Sequence, residues 1–258
     1  MAKRALITGA TAGIGKAFAR ALARQGWNLV IVSRDAVRMD ALASELRQQH
    51  GIAVDVVAAD LTTSAGLATA TAAVRDAARP IDLLVNNAGA SIAQWFGDTS
   101  ITDEDWHLDL LVRAPMHLMD AALKTMSART DVNTNDKGAI LNVASVAAFA
   151  LRGTYSAHKA WLVNLSHWAH FRYKDRGVHV MALCPGFART EFHQRGKMDT
   201  SGIPDWMWLD ADRLVADALK DLARKKAISV PSLRYKLLAF LSRNMPSFIV
   251  AAVARRGR

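Results

Sequence analysis

The chain has 258 residues, of which 51% are hydrophobic and 22% charged, a balance that excludes disorder and supplies one α/β domain with ample core material. Its formal charge of +10 does not mark a nucleic-acid-binding body, because nine Lys or Arg and no acid follow Asp221, and the first 221 residues carry a net charge of only +1. The single cysteine, Cys184, excludes an internal disulfide and suits a reducing cytoplasm; between an apolar run and Pro185 it reads as a buried structural thiol.

Met1 to Arg4 lead straight into the first apolar run, so no secretory leader is expected. Short apolar, β-branched runs at 4–8, 29–33, 54–58, 83–86, 139–144, 178–183 and 227–230 predict strands. Between them, helical periodicity predicts helices over 13–25, 36–49, 64–78, 103–127, 155–174 and 211–222. Strands that read as continuous apolar runs are buried on both faces, so this alternation predicts an α/β fold with a doubly wound parallel sheet in a single domain. The polar stretch 130–137 reads as a solvated connection. Ligands of such a sheet bind beyond the carboxyl ends of the strands, and the residues there carry the chemical signal.

Thr8, Gly9, Ala10, Thr11, Ala12, Gly13, Ile14 and Gly15 follow the first strand and lead into the first helix. Glycines at such a turn let the backbone approach a pyrophosphate, whose charge meets free N–H groups and the positive end of the helix dipole. A glycine turn without a ligand is the plainer reading, but the strand-to-helix position favours a dinucleotide. At the end of the second strand stand Ser33 and Arg34, where NAD enzymes of this kind carry an acid for the ribose hydroxyls. A guanidinium suits a 2′-phosphate instead, with about 1.5–3 kcal/mol from a charge-assisted contact, so NADP(H) is expected over NAD(H) unless Arg34 is an ordinary surface residue. Asp60 and Leu61 follow the third strand. Asp60 could accept from the adenine amino group or merely cap the next helix.

With the Asn86, Asn87, Ala88, Gly89 run, the Tyr155, Ser156, Ala157, His158, Lys159 segment and the Pro185, Gly186 pair added to the glycine turn, the sequence from Lys3 to about Val230 resembles the short-chain dehydrogenase/reductase family. The resemblance implies a Rossmann-type sheet, with support of the cofactor crevice by Asn87, Ala88 and Gly89. It further implies that Pro185 and Gly186 receive the nicotinamide, that Thr190 contacts its carboxamide or the phosphates, and that a homodimer or homotetramer packs through the helices at 103–127 and 155–174.

Tyr155 and Lys159 are four apart on one helical face, so their polar ends can converge. A phenol holds its proton to about pH 10, and a nearby ammonium is expected to lower that value. Tyr155 then gives its proton to a carbonyl oxygen during reduction, Ser145 hydrogen-bonds that oxygen, and Lys159 also holds the nicotinamide ribose. Leu111 stands where the family often has an asparagine that orders a relay water, and leucine cannot do that. His158, His167 and His170 have no ligands of other types at metal-binding spacing, so no metal is expected.

The 187–209 loop, with Phe192, Trp206, Met207, Trp208 and Leu209, is expected with Trp95 and Phe96 to cover a hydrophobic carbonyl or alcohol substrate. Residues 1–232 then form the catalytic domain and 233–258 a basic, amphipathic tail. Its apolar runs, 237–241 and 248–254, are too short to span a bilayer; they either dock on the body and close the pocket or make peripheral membrane contact. The rival classes are a noncatalytic dinucleotide sensor and a basic interaction protein.

Overall fold

A computed structural model of the chain describes residues 2–130, 136–196 and 198–245. Residues 131–135 of the polar connection, and the second apolar run of the tail at 248–254 with its flanking arginines, lie outside them.

Seven strands form one parallel sheet: β1 (Arg4–Thr8), β2 (Asn28–Ser33), β3 (Val54–Ala58), β4 (Leu83–Asn86), β5 (Gly138–Val143), β6 (Val178–Leu183) and β7 (Ile228–Ser229). They lie in the order β3-β2-β1-β4-β5-β6-β7. The helices are α1 (Gly13–Arg24), α2 (Ala36–His50), α3 (Ser64–Val74), α4 (Ile101–Leu108), α5 (Ala114–Ser127), α6 (Thr154–Tyr173), the single turn α7 (Phe192–Arg195), α8 (Ala211–Ala223) and α9 (Leu233–Asn244). The doubly wound expectation holds at every strand. The helix expected over 103–127 is α4 and α5 joined by a π turn at Asp109–Arg113, and the helix expected to reach residue 78 stops at Val74.

Alternate strand residues are buried on opposite faces, which is why the strands read as unbroken apolar runs. Ile7, Leu29, Ile31, Val85, Leu141 and Met181 pack on one face with α1, α2 and α8, around Phe18, Met39 and Leu214. Leu6, Val30, Leu84, Ile140, Val180 and Ala182 pack on the other, against Leu118, Met126 and Leu162 of α5 and α6.

The chain runs from β1 outward to β2 and β3, then crosses back to β4 on the other side of β1. The connections after β1 and β4 therefore diverge, and a crevice opens between them. Its two walls are tied together. Thr8 Oγ1 accepts from the Asn87 and Ala88 N–H groups, both at 3.0 Å, while Asn87 Nδ2 donates to the carbonyls of Thr8 at 2.9 Å and Gly9 at 3.1 Å. Gly9 has φ +66°, in the left-handed region, and Gly15 packs against the same bonds. A Cβ on Gly15 would lie 2.3 Å from the Gly9 carbonyl oxygen and 2.4 Å from Asn87 Nδ2. Gly15→Ala is expected to cost about 1–3 kcal/mol, as overpacking against backbone does, and to weaken dinucleotide binding. Urea unfolding and cofactor titration check both, and a variant with wild-type stability and affinity would contradict this packing role.

Candidate active site

The crevice has a volume of about 740 Å³, and its floor is the glycine turn. The N-cap of α1 is Ala12, which offers no side-chain acceptor, so the first N–H groups of the helix are left for another partner. Gly9, Thr11, Gly13 and Ile14 line the crevice, while Gly15 is buried beneath them. Thr190 comes from far along the chain to sit over the turn: a Cβ on Gly13 would lie 3.0 Å from Thr190 Cβ. A backbone cradle at a helix N-terminus whose cap residue supplies no side-chain acceptor fits a dinucleotide pyrophosphate.

Ser33 Oγ lies 3.3 Å from Thr11 Oγ1, which ties the end of β2 to the glycine turn. Arg34 and Asp60 both border the crevice, with Arg34 Nη1 3.9 Å from Asp60 Oδ2 in a mostly exposed pair. Asp60 is not a helix cap: Thr63 caps α3, and Asp60 Oδ1 accepts instead from Thr62 N at 3.0 Å and Thr62 Oγ1 at 2.7 Å. Burial raises its carboxyl pKa, but the two Thr62 hydrogen bonds and Arg34 outweigh this and hold it below the usual value. Leu61, Asn87, Ala88 and Gly89 complete this side of the lining.

Ser145, Tyr155 and Lys159 also line the crevice. Ser145 follows β5 in extended conformation and caps a short 3₁₀ turn, accepting from Ala147 N at 3.1 Å. It bears on the Tyr155 phenol closely enough to lower that group's pKa. Lys159, one turn further along α6, has Nζ 5.8 Å from the Tyr155 ring centroid and donates to the Val143 carbonyl at 2.8 Å. The electrostatics differ from the expectation that the ammonium dominates the phenol. Burial pushes Tyr155 up to about 12, with Ser145 offsetting only part of the rise, and burial brings Lys159 down to about 8. Removal of the charged forms from water exceeds their mutual attraction at this separation.

His107, absent from the sequence-derived set, stacks behind Tyr155 with centroids 6.1 Å apart and planes at 12°. Its Nε2 lies 3.2 Å from the Ala90 carbonyl, and burial holds its pKa down to about 4, so the ring is neutral at physiological pH. No sequence motif marked it, because it comes from α4, far from the Tyr155 segment.

The roof is built by Pro185, Gly186, Phe187 and α7, together with α9. Phe192 tilts over Tyr155 with centroids 6.2 Å apart, and Phe187 packs on Trp208 at 5.8 Å. Met207 also lines the crevice, whereas Trp95, Phe96, Trp206, Trp208 and Leu209 do not, so the expected aromatic cover is smaller than the sequence suggested. In its place stands α9, which contributes Tyr235, Leu238, Ala239 and Ser242. Tyr235 is 2% exposed; its hydroxyl donates to the Met207 carbonyl at 2.8 Å and accepts from Phe187 N at 3.1 Å. A Cβ on Gly186 would lie 2.0 Å from the Tyr235 ring, so this glycine is where the loop lets α9 in.

Residues 3–200 match the family model described as short chain dehydrogenase. The oxidoreductase UcpA of Escherichia coli is 35% identical over 192 residues, which cover 73% of this chain and 70% of that protein. A short-chain dehydrogenase from Sphingobium yanoikuyae, solved in complex with NADPH, is 32% identical, superposes with a TM-score of 0.83, and covers 95% of this chain and 96% of its own. A bulky-bulky ketone specific alcohol dehydrogenase from Comamonas testosteroni is 33% identical with a TM-score of 0.79, covering 95% of each chain. The chain belongs to the short-chain dehydrogenase/reductase family of oxidoreductases.

Proposed function

We propose that the protein is an NADP(H)-dependent oxidoreductase that interconverts a carbonyl and a secondary or primary alcohol on a bulky, hydrophobic substrate, with Tyr155 as the acid/base. The observation that carries this reading is that Ser145, Tyr155 and Lys159 line one crevice, where the glycine turn meets an apolar wall. When bound, the dinucleotide supplies a hydride in reduction and accepts one in oxidation. Gly9, Thr11, Gly13 and Ile14 form its pyrophosphate cradle with Gly15 packed beneath them, Ser33 and Arg34 receive the 2′-phosphate, and Asp60 and Leu61 the adenine. Asn87, Ala88, Gly89 and Lys159 support the ribose side, and Pro185, Gly186 and Thr190 the nicotinamide.

Tyr155 donates its proton to the substrate oxygen in the reductive direction, and its raised pKa keeps that proton available through neutral pH. Ser145 donates a hydrogen bond to the same oxygen and steadies its growing charge. Phe192, Met207 and Leu238 give the substrate an apolar surround. The solved relatives support both finer points, since one holds NADPH and the other is named for bulky ketones.

We also favour a homo-oligomer packed through α4, α5 and α6, where Leu108, Met116, Trp168 and Phe171 are exposed. For α9 the docked reading is the better one, because Tyr235 is locked into the roof. Its outer residues Leu233, Leu237 and Phe240 are exposed and leave peripheral membrane contact as the second reading, while no described helix is long and apolar enough to cross a membrane.

Tyr155→Phe keeps the ring and removes only the proton donor, so turnover is expected to fall by about 10²-fold or more with NADPH affinity retained. Wild-type turnover in this variant would remove Tyr155 from the chemistry. Arg34→Ala should weaken NADPH by about tenfold or more and leave NADH nearly unchanged, as isothermal titration can show; equal losses for the two cofactors would give Arg34 another role. Because burial places Lys159 at about 8, its ammonium is present below that pH and lost as pH rises through it, while Tyr155 stays protonated. The reductive kcat should therefore show an alkaline limb near pH 8, and a profile flat to about pH 10 would contradict the assigned charge on Lys159.

A further inference from the structure

Behind the catalytic candidates the sheet carries a chain of buried polar groups that the reaction above does not use. Ser166 Oγ donates to the Leu162 carbonyl at 2.6 Å, which leaves the oxygen to accept from Asn142 Nδ2 at 2.8 Å. That orients the Asn142 amide with its oxygen toward Asn86, whose Nδ2 donates to it at 2.8 Å. The orientation of Asn86 follows: the atom left over is its carbonyl Oδ1, and it is buried with no protein partner. Asn86 is 5% exposed, and an acceptor left unsatisfied at such a position is destabilising.

A small cavity of about 10 Å³ lies beside it, close to the space that one water centre requires. Asn86 and Lys159 both line this cavity with Thr8, and the rest of the wall is apolar, Leu110, Leu111, Leu118 and Leu162 among it. Lys159 also lines the main crevice, as do Leu61, Ala88, Leu110 and Val143, and it is the charged residue of the wall between the two spaces. Its Nζ uses one donor on Val143, and an ammonium has three. A Cβ on Gly89 would lie 3.3 Å from Leu111 Cδ2 and 3.8 Å from Lys159 Nζ, so the ammonium and the leucine methyl flank the same point. The Leu111 side chain offers no polar atom there.

We infer that this cavity holds one ordered water that accepts from Lys159 Nζ and donates to Asn86 Oδ1, which makes Asn86 a positioning residue for the lysine. The inference rests on the assignment of Lys159 to the reaction for its catalytic consequence, but not for the water itself. Such a water satisfies the orphan acceptor. It also gives the ammonium a second fixed point besides Val143, so that its remaining donor faces the crevice. The Ser166, Asn142, Asn86 chain acts as a brace that keeps the acceptor pointing at the cavity.

A high-resolution crystal structure of the full chain with NADPH tests the water directly. One density peak within about 3.2 Å of both Lys159 Nζ and Asn86 Oδ1 is expected; a dry cavity, or a water out of reach of the lysine, overturns the inference whatever the activity. The positioning role is tested by Asn86→Ala, for which kcat is expected to fall about tenfold or more through a misplaced lysine while KM and the NADPH Kd stay within about twofold. An unchanged kcat in the folded variant overturns that role, and if the variant fails to fold, the crystal structure decides. A bridging water combined with full turnover by Tyr155→Phe would sink the catalytic reading and leave the water standing.

Discussion

The hydrogen bonds that tie Thr8 and Gly9 to Asn87 and Ala88 hold the rest of the site in place. They join the ends of β1 and β4 where the winding of the sheet reverses, at the one place where adjacent strands send their connections apart. Without that tie the crevice has no fixed width, and the glycine turn, the Asn87 to Gly89 wall and Lys159 beyond it lose a common frame. Gly15 shows how closely the tie is packed, since no side chain can be added there without meeting the bonded atoms themselves. Thr8 and Asn86, the last residues of β1 and β4, are buried polar side chains where the two strands end, and Thr8 makes part of the tie itself.

Burial, more than pairing, sets the electrostatics. Tyr155 and Lys159 both move toward their neutral forms, the phenol upward and the ammonium downward. The side-chain spacing of four residues correctly placed them on one helical face, but spacing carries no information about desolvation, and the expected lowering of the phenol by the lysine does not dominate. For a reductive proton donor this is the useful direction, because the proton is held until a substrate oxygen asks for it. His107 fits the same pattern: a ring taken out of water is kept neutral and packs as an aromatic surface against the tyrosine.

Much of the sheet was legible in the sequence, because strands buried on both faces must be apolar throughout, and those runs stand out between amphipathic helices. The residues at the strand ends were legible for a related reason: chemistry in a doubly wound sheet is confined to those short stretches. What was not legible came from contacts between distant segments. Tyr235 gives no sign in the sequence that it packs against Gly186, fifty residues earlier in round terms, and Trp95 and Phe96 look like pocket material but lie off the crevice. The free oxygen of Asn86 was also invisible, since its orientation is fixed only through Asn142 and Ser166. Helix ends shifted for local reasons, as at α3, where the chain leaves the helix after Val74 and Asp76 accepts from the N–H groups of Ala78 and Arg79.

The account joins a dinucleotide cradle, a phenol that keeps its proton and a largely apolar roof into one reductive site, and a substrate panel tests that union most directly. Purified full-length protein with NADPH and a series of ketones, from small aliphatic to two-sided aromatic, should oxidise NADPH in step with alcohol formed, one for one, with kcat/KM highest for the bulky apolar members. Protein that binds NADPH but forms no alcohol from any member of the series would contradict the account.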